Sequence, residues 1–165
     1  MADRRLTPAT LAPAAPERQV RWTDERDIVV DPKSLARAST GLPREVGALL
    51  LVFADQPVVA GDSYVIGHDS VCDLHVDGNS GAVRAIDPSG ELPSRYVSSS
   101  TKQLAALVRA YARYQRDVSD TRTEDEARAI VERLESELRV VDPLAVETAD
   151  TWWSIVLEQA SHGLL

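Results

Sequence analysis

Between residues 64 and 114 the spacing of apolar residues changes from a strand period to a helix period. Tyr64-Val65-Ile66-Gly67 and Val71-Cys72-Asp73-Leu74-His75-Val76 are short runs rich in β-branched and aromatic residues, the types that fit a pleated, half-buried surface. Between the second run and the next lies Asp77-Gly78-Asn79-Ser80-Gly81, dense in residues that tolerate positive φ, which predicts a hairpin loop. Ala82-Val83-Arg84-Ala85-Ile86 is the return strand. Asp87-Pro88-Ser89-Gly90 ends it with Pro at the second turn position and Gly at the fourth. A fourth strand is expected around Arg95-Tyr96-Val97. From about Thr101 the apolar positions Leu104, Leu107, Val108, Tyr111 and Tyr114 or Gln115 follow the i, i+3, i+4, i+7 rule of one buried helix face. The hydroxyls of Ser98, Ser99 and Ser100 are available to cap that helix. A meander followed by a packed helix is an α+β plan rather than a βαβ plan: an antiparallel-rich sheet over about residues 62–97, packed by helices.

The flanks of this stretch are read in the same way. Residues 1–19 carry Pro8, Pro13 and Pro16 among Ala and Thr, without a periodic apolar face, and read as a poorly anchored arm. The folded domain is expected over residues 20–165, with Val20-Arg21-Trp22 and Asp27-Ile28-Val29-Val30 extended. Asp31-Pro32 has the form of an N-cap followed by Pro at the first helical position, and Gly41 that of a C-terminal glycine closing a short helix. Residues 44–53 hold a near-continuous apolar run, read as a helical turn at its start and a strand near its end, buried in either case. Downstream, Thr123-Glu124-Asp125-Glu126 forms a capping box. It opens a helix with Ala127, Ile130, Val131, Leu134 and Leu138 on its buried stripe, running to about Arg139. Asp142-Pro143 restarts the chain. The last helix spans about residues 150–161. Its adjacent Trp152 and Trp153 point about 100° apart, so that one serves the core and the other its rim.

Composition narrows the functional classes. The chain has 165 residues, 44% hydrophobic and 27% charged, which is ordinary for one globular domain with its own core. No apolar run approaches the roughly 20 residues needed to span a bilayer, and no hydrophobic signal core follows Asp3-Arg4-Arg5, which argues for a cytoplasmic protein. The net charge of −8 repels phosphate backbones and anionic lipid, so nucleic acid and membrane are disfavoured as direct partners. Cys72 is the sole cysteine, which excludes an internal disulfide and a cysteine-based zinc site. It is expected to be a small buried hydrophobe sharing a strand face with Leu74 and Val76.

Two constellations deserve a chemical reading. Strand alternation puts Asp73, His75 and Asp77 on one face, a combination able to ligate a divalent cation in a small metal-dependent enzyme. Against this stand the missing further ligand from a neighbouring strand and the ordinary polar outer face of an antiparallel sheet, where Arg84 is a charge partner. Ser98 to Ser100 lack the G-x-S-x-G elbow that a nucleophilic serine requires, and a helix cap accounts for them. No metal or other cofactor is expected. The remaining candidates are acidic surfaces for a basic protein partner: Asp69, Asp73 and Asp77 on the outer sheet side, and Glu124, Asp125, Glu132 and Glu135 on the charged face of the helix after Thr123.

Several motifs in order resemble the SUKH superfamily of bacterial immunity proteins, most nearly its fourth family. They are Gly41-Leu42-Pro43; Tyr64-Val65-Ile66-Gly67; Leu74-His75-Val76-Asp77-Gly78 with Gly81-Ala82-Val83 and Ala85-Ile86-Asp87; Tyr96-Val97-Ser98-Ser99-Ser100; and Trp152-Trp153 with Gly163-Leu164-Leu165. The likeness runs from about Ser39 to the end. Ser98, where the family pattern prefers Asn, and Leu104, where it prefers an aromatic, depart from it while keeping a cap and a core role. The resemblance implies an α+β fold without catalytic residues. It also implies a cytoplasmic antidote, monomeric or weakly dimeric, that binds and neutralises a cognate toxin domain, often a nuclease or nucleic-acid deaminase. It transfers no toxin-contact residue. A regulatory scaffold, like the eukaryotic members of the superfamily, is the other non-catalytic reading.

Removal of residues 1–19 is predicted to leave the folded core intact. The melting temperature should move by no more than a few degrees, and a larger drop on truncation would show that this segment is packed.

Overall fold

The computed structural model describes residues 30–165. The arm expected over residues 1–19 and the extended segments at 20–22 and 27–29 lie outside the described residues. Val30 enters at the sheet, donating its N–H to the Gly78 carbonyl at 3.0 Å.

Six strands form one fully antiparallel sheet in sequential order: β1 (Glu45–Val46), β2 (Leu51–Ala60), β3 (Ser63–His68), β4 (Asp73–Asp77), β5 (Val83–Ile86) and β6 (Arg95–Ser98). The meander therefore begins earlier than residue 62. Its first long strand, β2, escapes a pattern reading because it does not alternate. Phe53 pairs with Gly67 and Val58 with Val65, so the polar stretch 54–57 stands opposite Ile66 alone. A second irregularity leaves Ile66 as an extra residue of β3 between the Val65–His75 and Gly67–Leu74 pairs. Such bulges bend and twist the sheet. The expected strand at residues 71–76 starts later, at Asp73, because the Asp69 carboxylate accepts N–H bonds from Val71 and Cys72 and folds them into a turn. Cys72 is buried as expected, but it lies in that turn rather than on a strand.

Gly67 is required by a close approach rather than by an unusual torsion. A Cβ there would lie 2.4 Å from the Val52 carbonyl oxygen across the β2–β3 pair, closer than any real contact, so a side chain would push the two strands apart. The β4–β5 loop and the Asp87–Gly90 turn form as expected. Asp77 O accepts the Gly81 N–H at 2.9 Å and Asp87 O accepts the Gly90 N–H at 3.0 Å.

The helical half follows its caps. Asp31 caps a 3₁₀ turn, Pro32–Leu35, which breaks at Ala36 before α1 (Arg37–Thr40), and Gly41 closes α1 in the left-handed region at φ 70°. The single short helix expected between Asp31 and Gly41 is thus two turns of different pitch. Residues 47–49 form the expected helical turn, though after β1 rather than before any strand. Ser100 caps α2 (Thr101–Ser119), Thr123 caps α3 (Glu124–Val141) and Thr151 caps α4 (Trp152–Ser161), each hydroxyl accepting an N–H three residues on.

Alternation then builds the core. The inner sheet face, with Leu74, Val76, Val83, Ala85 and Val97, meets Leu104, Leu107 and Tyr111 of α2, all buried. Each large aliphatic side chain sequestered there contributes about 1.5–3 kcal/mol. Trp153 of α4 packs edge-on to Trp152, centroids 4.9 Å apart at 82°, and lies 6.3 Å from Tyr111. Both tryptophans are buried. They differ in that the Trp152 indole N–H reaches the periphery, donating to Asp69 Oδ2 at 3.0 Å. Helix α3 packs on α2, α4 and the 3₁₀ turn Pro143–Val146.

Asp142 joins the two halves. It is buried, and its carboxylate accepts the Ser99 N–H at 2.6 Å, the Ser99 hydroxyl at 3.0 Å and the Tyr96 hydroxyl at 3.3 Å. The residue that ends α3 therefore fixes the passage from β6 into α2. Asp142→Ala would leave the half-buried Ser99 N–H without its acceptor and the Tyr96 and Ser99 hydroxyls with only each other, and should cost about 1–3 kcal/mol, read as a lower urea midpoint. Asp142→Asn, which keeps one acceptor oxygen, should recover part of the loss. An unchanged midpoint for Asp142→Ala would show that the junction does not depend on this carboxylate.

Candidate functional site

The carboxylates singled out in the sequence fall into three environments. Asp69 sits in the β3–β4 turn, where both its oxygens are used: Oδ1 accepts from Val71 N at 2.8 Å and Cys72 N at 2.7 Å, and Oδ2 from the Trp152 indole. It clamps the turn to α4. Asp73 and Asp77 are the first and last residues of β4, half-buried on the outer face as alternation requires. Asp77 accepts from Asn79 N, Ser80 N and the Ser80 hydroxyl. The Ser80 bonds, with help from Arg84, hold its carboxyl below the usual carboxylate range. Asp73 makes no side-chain hydrogen bond among the described residues.

His75, between the two, is spoken for as well: its Nδ1 lies 2.9 Å from the Ser63 hydroxyl. Its cross-strand neighbour on β5 is Arg84, whose Nε donates to Ser94 at 3.0 Å. Asp73, His75 and Asp77 share a face but do not converge. Among the described residues no group of three His, Cys, Asp or Glu side chains could hold a metal ion. The serines at the end of β6 and just after it are equally committed. Ser98 donates to Ser100 O at 3.0 Å, Ser99 to Asp142, and Ser100 caps α2. No histidine side chain bonds to any of the three.

Helix α3 presents the third environment. It carries six carboxylates and three guanidiniums. Glu124, Asp125, Glu132 and Glu135 are all exposed. Asp125 pairs with Arg128 at 3.4 Å and Glu135 with Arg139 at 2.7 Å; such exposed pairs are individually weak. Glu124 and Glu132 form no ion pair among the described residues. With Arg128 and His162 they border a cavity of about 600 Å³ between α3 and the end of α4. The three acidic residues of the first turn also complement the positive N-terminal end of the helix dipole. Asp73 and Asp77 lie on β4 and Glu124, Asp125, Glu132 and Glu135 on α3, and no hydrogen bond or ion pair among the described residues joins the two sets.

Other features were not legible in the sequence. Asp87 is buried and folds the β5–β6 loop, its oxygens accepting from Ser89, Glu91 and Leu92 N–H groups. Chiefly the Ser89 hydroxyl and N–H hold its carboxyl below the usual range. The Asp-x-Ser pair is the available signal, although the same residues also satisfy an ordinary turn pattern. A smaller cleft, about 290 Å³, opens between α4 and the β3–β4 and β5–β6 loops. Among the described residues no helix is long and apolar enough to cross a membrane.

No curated protein and no solved structure matches the chain. A model of the SUKH-4 immunity protein family matches residues 31–159, which takes in the whole sheet, the Asp142 junction and nearly all of α4. The glycine at the β2–β3 approach, the capping serines and the paired tryptophans thus all lie within the matched region. The chain belongs to the SUKH-4 immunity protein family.

Proposed function

We propose that this chain neutralises a cognate toxin domain by stoichiometric association in the cytoplasm, without acting on it chemically. The observation that carries the electrostatic part of the reading is the exposed face of α3, where carboxylates outnumber guanidiniums two to one. A nuclease or nucleic-acid deaminase must hold a polyanion, so its cleft is basic, and an acidic face can occupy or overhang it. Glu124 and Glu132 are the best placed groups, exposed and without an ion pair among the described residues. Asp125 and Glu135 extend the same face. Asp73 and Asp77 form a second, weaker patch on the outer sheet, tempered by Arg84. Asp69 contributes its charge from the edge of the smaller cleft while its oxygens stay bonded. Asp77 and His75 of the sheet are committed to a turn and a cross-strand bond, and Asp73 stands without a catalytic partner beside it, which favours binding over catalysis.

Attraction between opposite surfaces raises association rates by about 10- to 1000-fold over a neutral pair, and salt removes the gain. Co-expression with its cognate toxin should restore growth. The association rate of the purified pair should fall steeply as ionic strength rises, and Glu124→Lys with Glu132→Lys should slow association while lowering the melting temperature by only a few degrees, the cost of reversing one charge at the helix N-terminus. Lack of rescue would overturn the antidote reading. An association rate indifferent to salt and to the double substitution would overturn the acidic-face mechanism.

A further inference from the structure

Helix α3 carries two kinds of carboxylate. Four of its six have partners: Asp125 pairs with Arg128, Glu135 with Arg139 and Glu137 with Arg113, and Glu126 accepts the Arg122 N–H at 3.0 Å. The two with neither an ion pair nor a hydrogen bond among the described residues are Glu124 and Glu132. Both border the cavity of about 600 Å³ between α3 and the end of α4. They stand about 12 Å apart along the helix axis, with Arg128 between them in the same i, i+4 row. The Arg128 guanidinium has both as neighbours at that spacing, yet it lies 3.4 Å from Asp125 instead.

The floor of the cavity is apolar. Val118, Val131 and Leu165 are half-buried, each packed on the core from one side and lining the opening, together with the Tyr114 ring. The facing wall is the end of α4, Ser161 with His162 and Gly163 beyond it, which is the negative end of that helix's dipole. An apolar floor, two uncommitted carboxylates and a helix C-terminus together select a group with an apolar body and a cationic head. The volume falls within the range of about 300–1,000 Å³ in which ligands are bound, room for a basic side chain and its neighbour.

We propose that this cavity holds the toxin by receiving an arginine or lysine together with the apolar residue beside it. The charge faces Glu124 and Glu132, and the apolar parts lie on Val118, Val131 and Leu165. The inference rests on the antidote reading and deepens it: an exposed acidic face steers a partner, and a floor that excludes water retains it. Arginine and lysine suit both surfaces, because their stems cover apolar area while their heads stay polar. Apolar contacts ringed by polar ones are where association energy is concentrated. Arg128, the one guanidinium on the rim, opposes the incoming charge and lowers the affinity.

Two experiments separate this inference from the reading beneath it. In the first, the full chain alone is titrated with three blocked dipeptides: acetyl-Leu-Arg-amide, acetyl-Leu-Glu-amide and acetyl-Gly-Arg-amide. The first should bind at about millimolar concentration and shift the methyl resonances of Val118, Val131 and Leu165. The other two lack either the cation or the apolar side chain and should shift them far less. Arg128→Gln should tighten binding of the first by about two- to fivefold and Glu132→Gln should weaken it by a similar factor. Glu91→Gln, an exposed charge on the β5–β6 loop, should change nothing. Equal responses to the three dipeptides, no response of these methyls, shifts centred on Val58 and Val59, or an affinity indifferent to both rim substitutions would overturn the proposed chemistry. In the second, a catalytically inactive form of the cognate toxin is the probe. Ser161→Trp crowds the opening from an exposed helix end and alters no charge. It should keep the melting temperature within a few degrees and speed dissociation by about 10- to 100-fold, while the association rate keeps its dependence on salt. A toxin held as tightly by Ser161→Trp as by the unaltered chain would overturn the cavity assignment and leave the antidote reading standing. If the chain takes the Leu-Arg probe as described but neutralises no toxin, the antidote reading fails, and the toxin as occupant with it.

Discussion

The fold depends on one buried carboxylate. Asp142 lies at the end of α3, 43 residues beyond the Ser99 N–H that it accepts, and it also takes the Ser99 and Tyr96 hydroxyls. This arrangement decides where the sheet stops and α2 starts. With that junction fixed, Ser100 is placed to cap α2, the Leu104, Leu107 and Tyr111 side of the helix meets Leu74, Val76 and Val83, and α4 closes the aromatic cluster around Trp153. A charge taken out of water is costly unless its bonds are made. The same expense makes the junction specific, because few alternative packings would give Asp142 three donors.

The sheet and the helices differ in how far the sequence disclosed them, and the reason is physical. The start of helix α2 was legible to within a residue because a serine cap and a 3.6-residue period agree on it; its last turn, to Ser119, lies beyond the apolar stripe that was read. Strands β4 and β5 were legible because their faces alternate between water and core. Of strand β2 only the start, at the end of the 44–53 run, was legible, since a bulge over residues 54–57 removes alternation beyond it. The start of β4 was misplaced because Asp69 captures the N–H groups of Val71 and Cys72, a contact that local pattern cannot show. Gly67 looked like a motif residue, and the close approach of the Val52 carbonyl supplies its cause.

The functional surfaces divide along the same line. Which carboxylates are exposed on α3 followed from the polar side of its period, so Glu124, Asp125, Glu132 and Glu135 were visible beforehand. That Asp69 and Asp77 are already bonded, and that Glu124 and Glu132 form no ion pair among the described residues, required coordinates. The cleft beside α4 was invisible because its parts come from four separated stretches of chain.

The central claim is that neutralisation is occupancy rather than chemistry, and stoichiometry tests it most directly. Residual toxin activity should be measured as this chain is titrated in at concentrations well above the dissociation constant, with native mass spectrometry of the mixture. The account predicts a linear fall to zero at one equivalent and a one-to-one complex containing two chemically unaltered chains. Complete inactivation by a small fraction of an equivalent, or a covalent change in the toxin after the chain has dissociated, would contradict it and make this protein an enzyme.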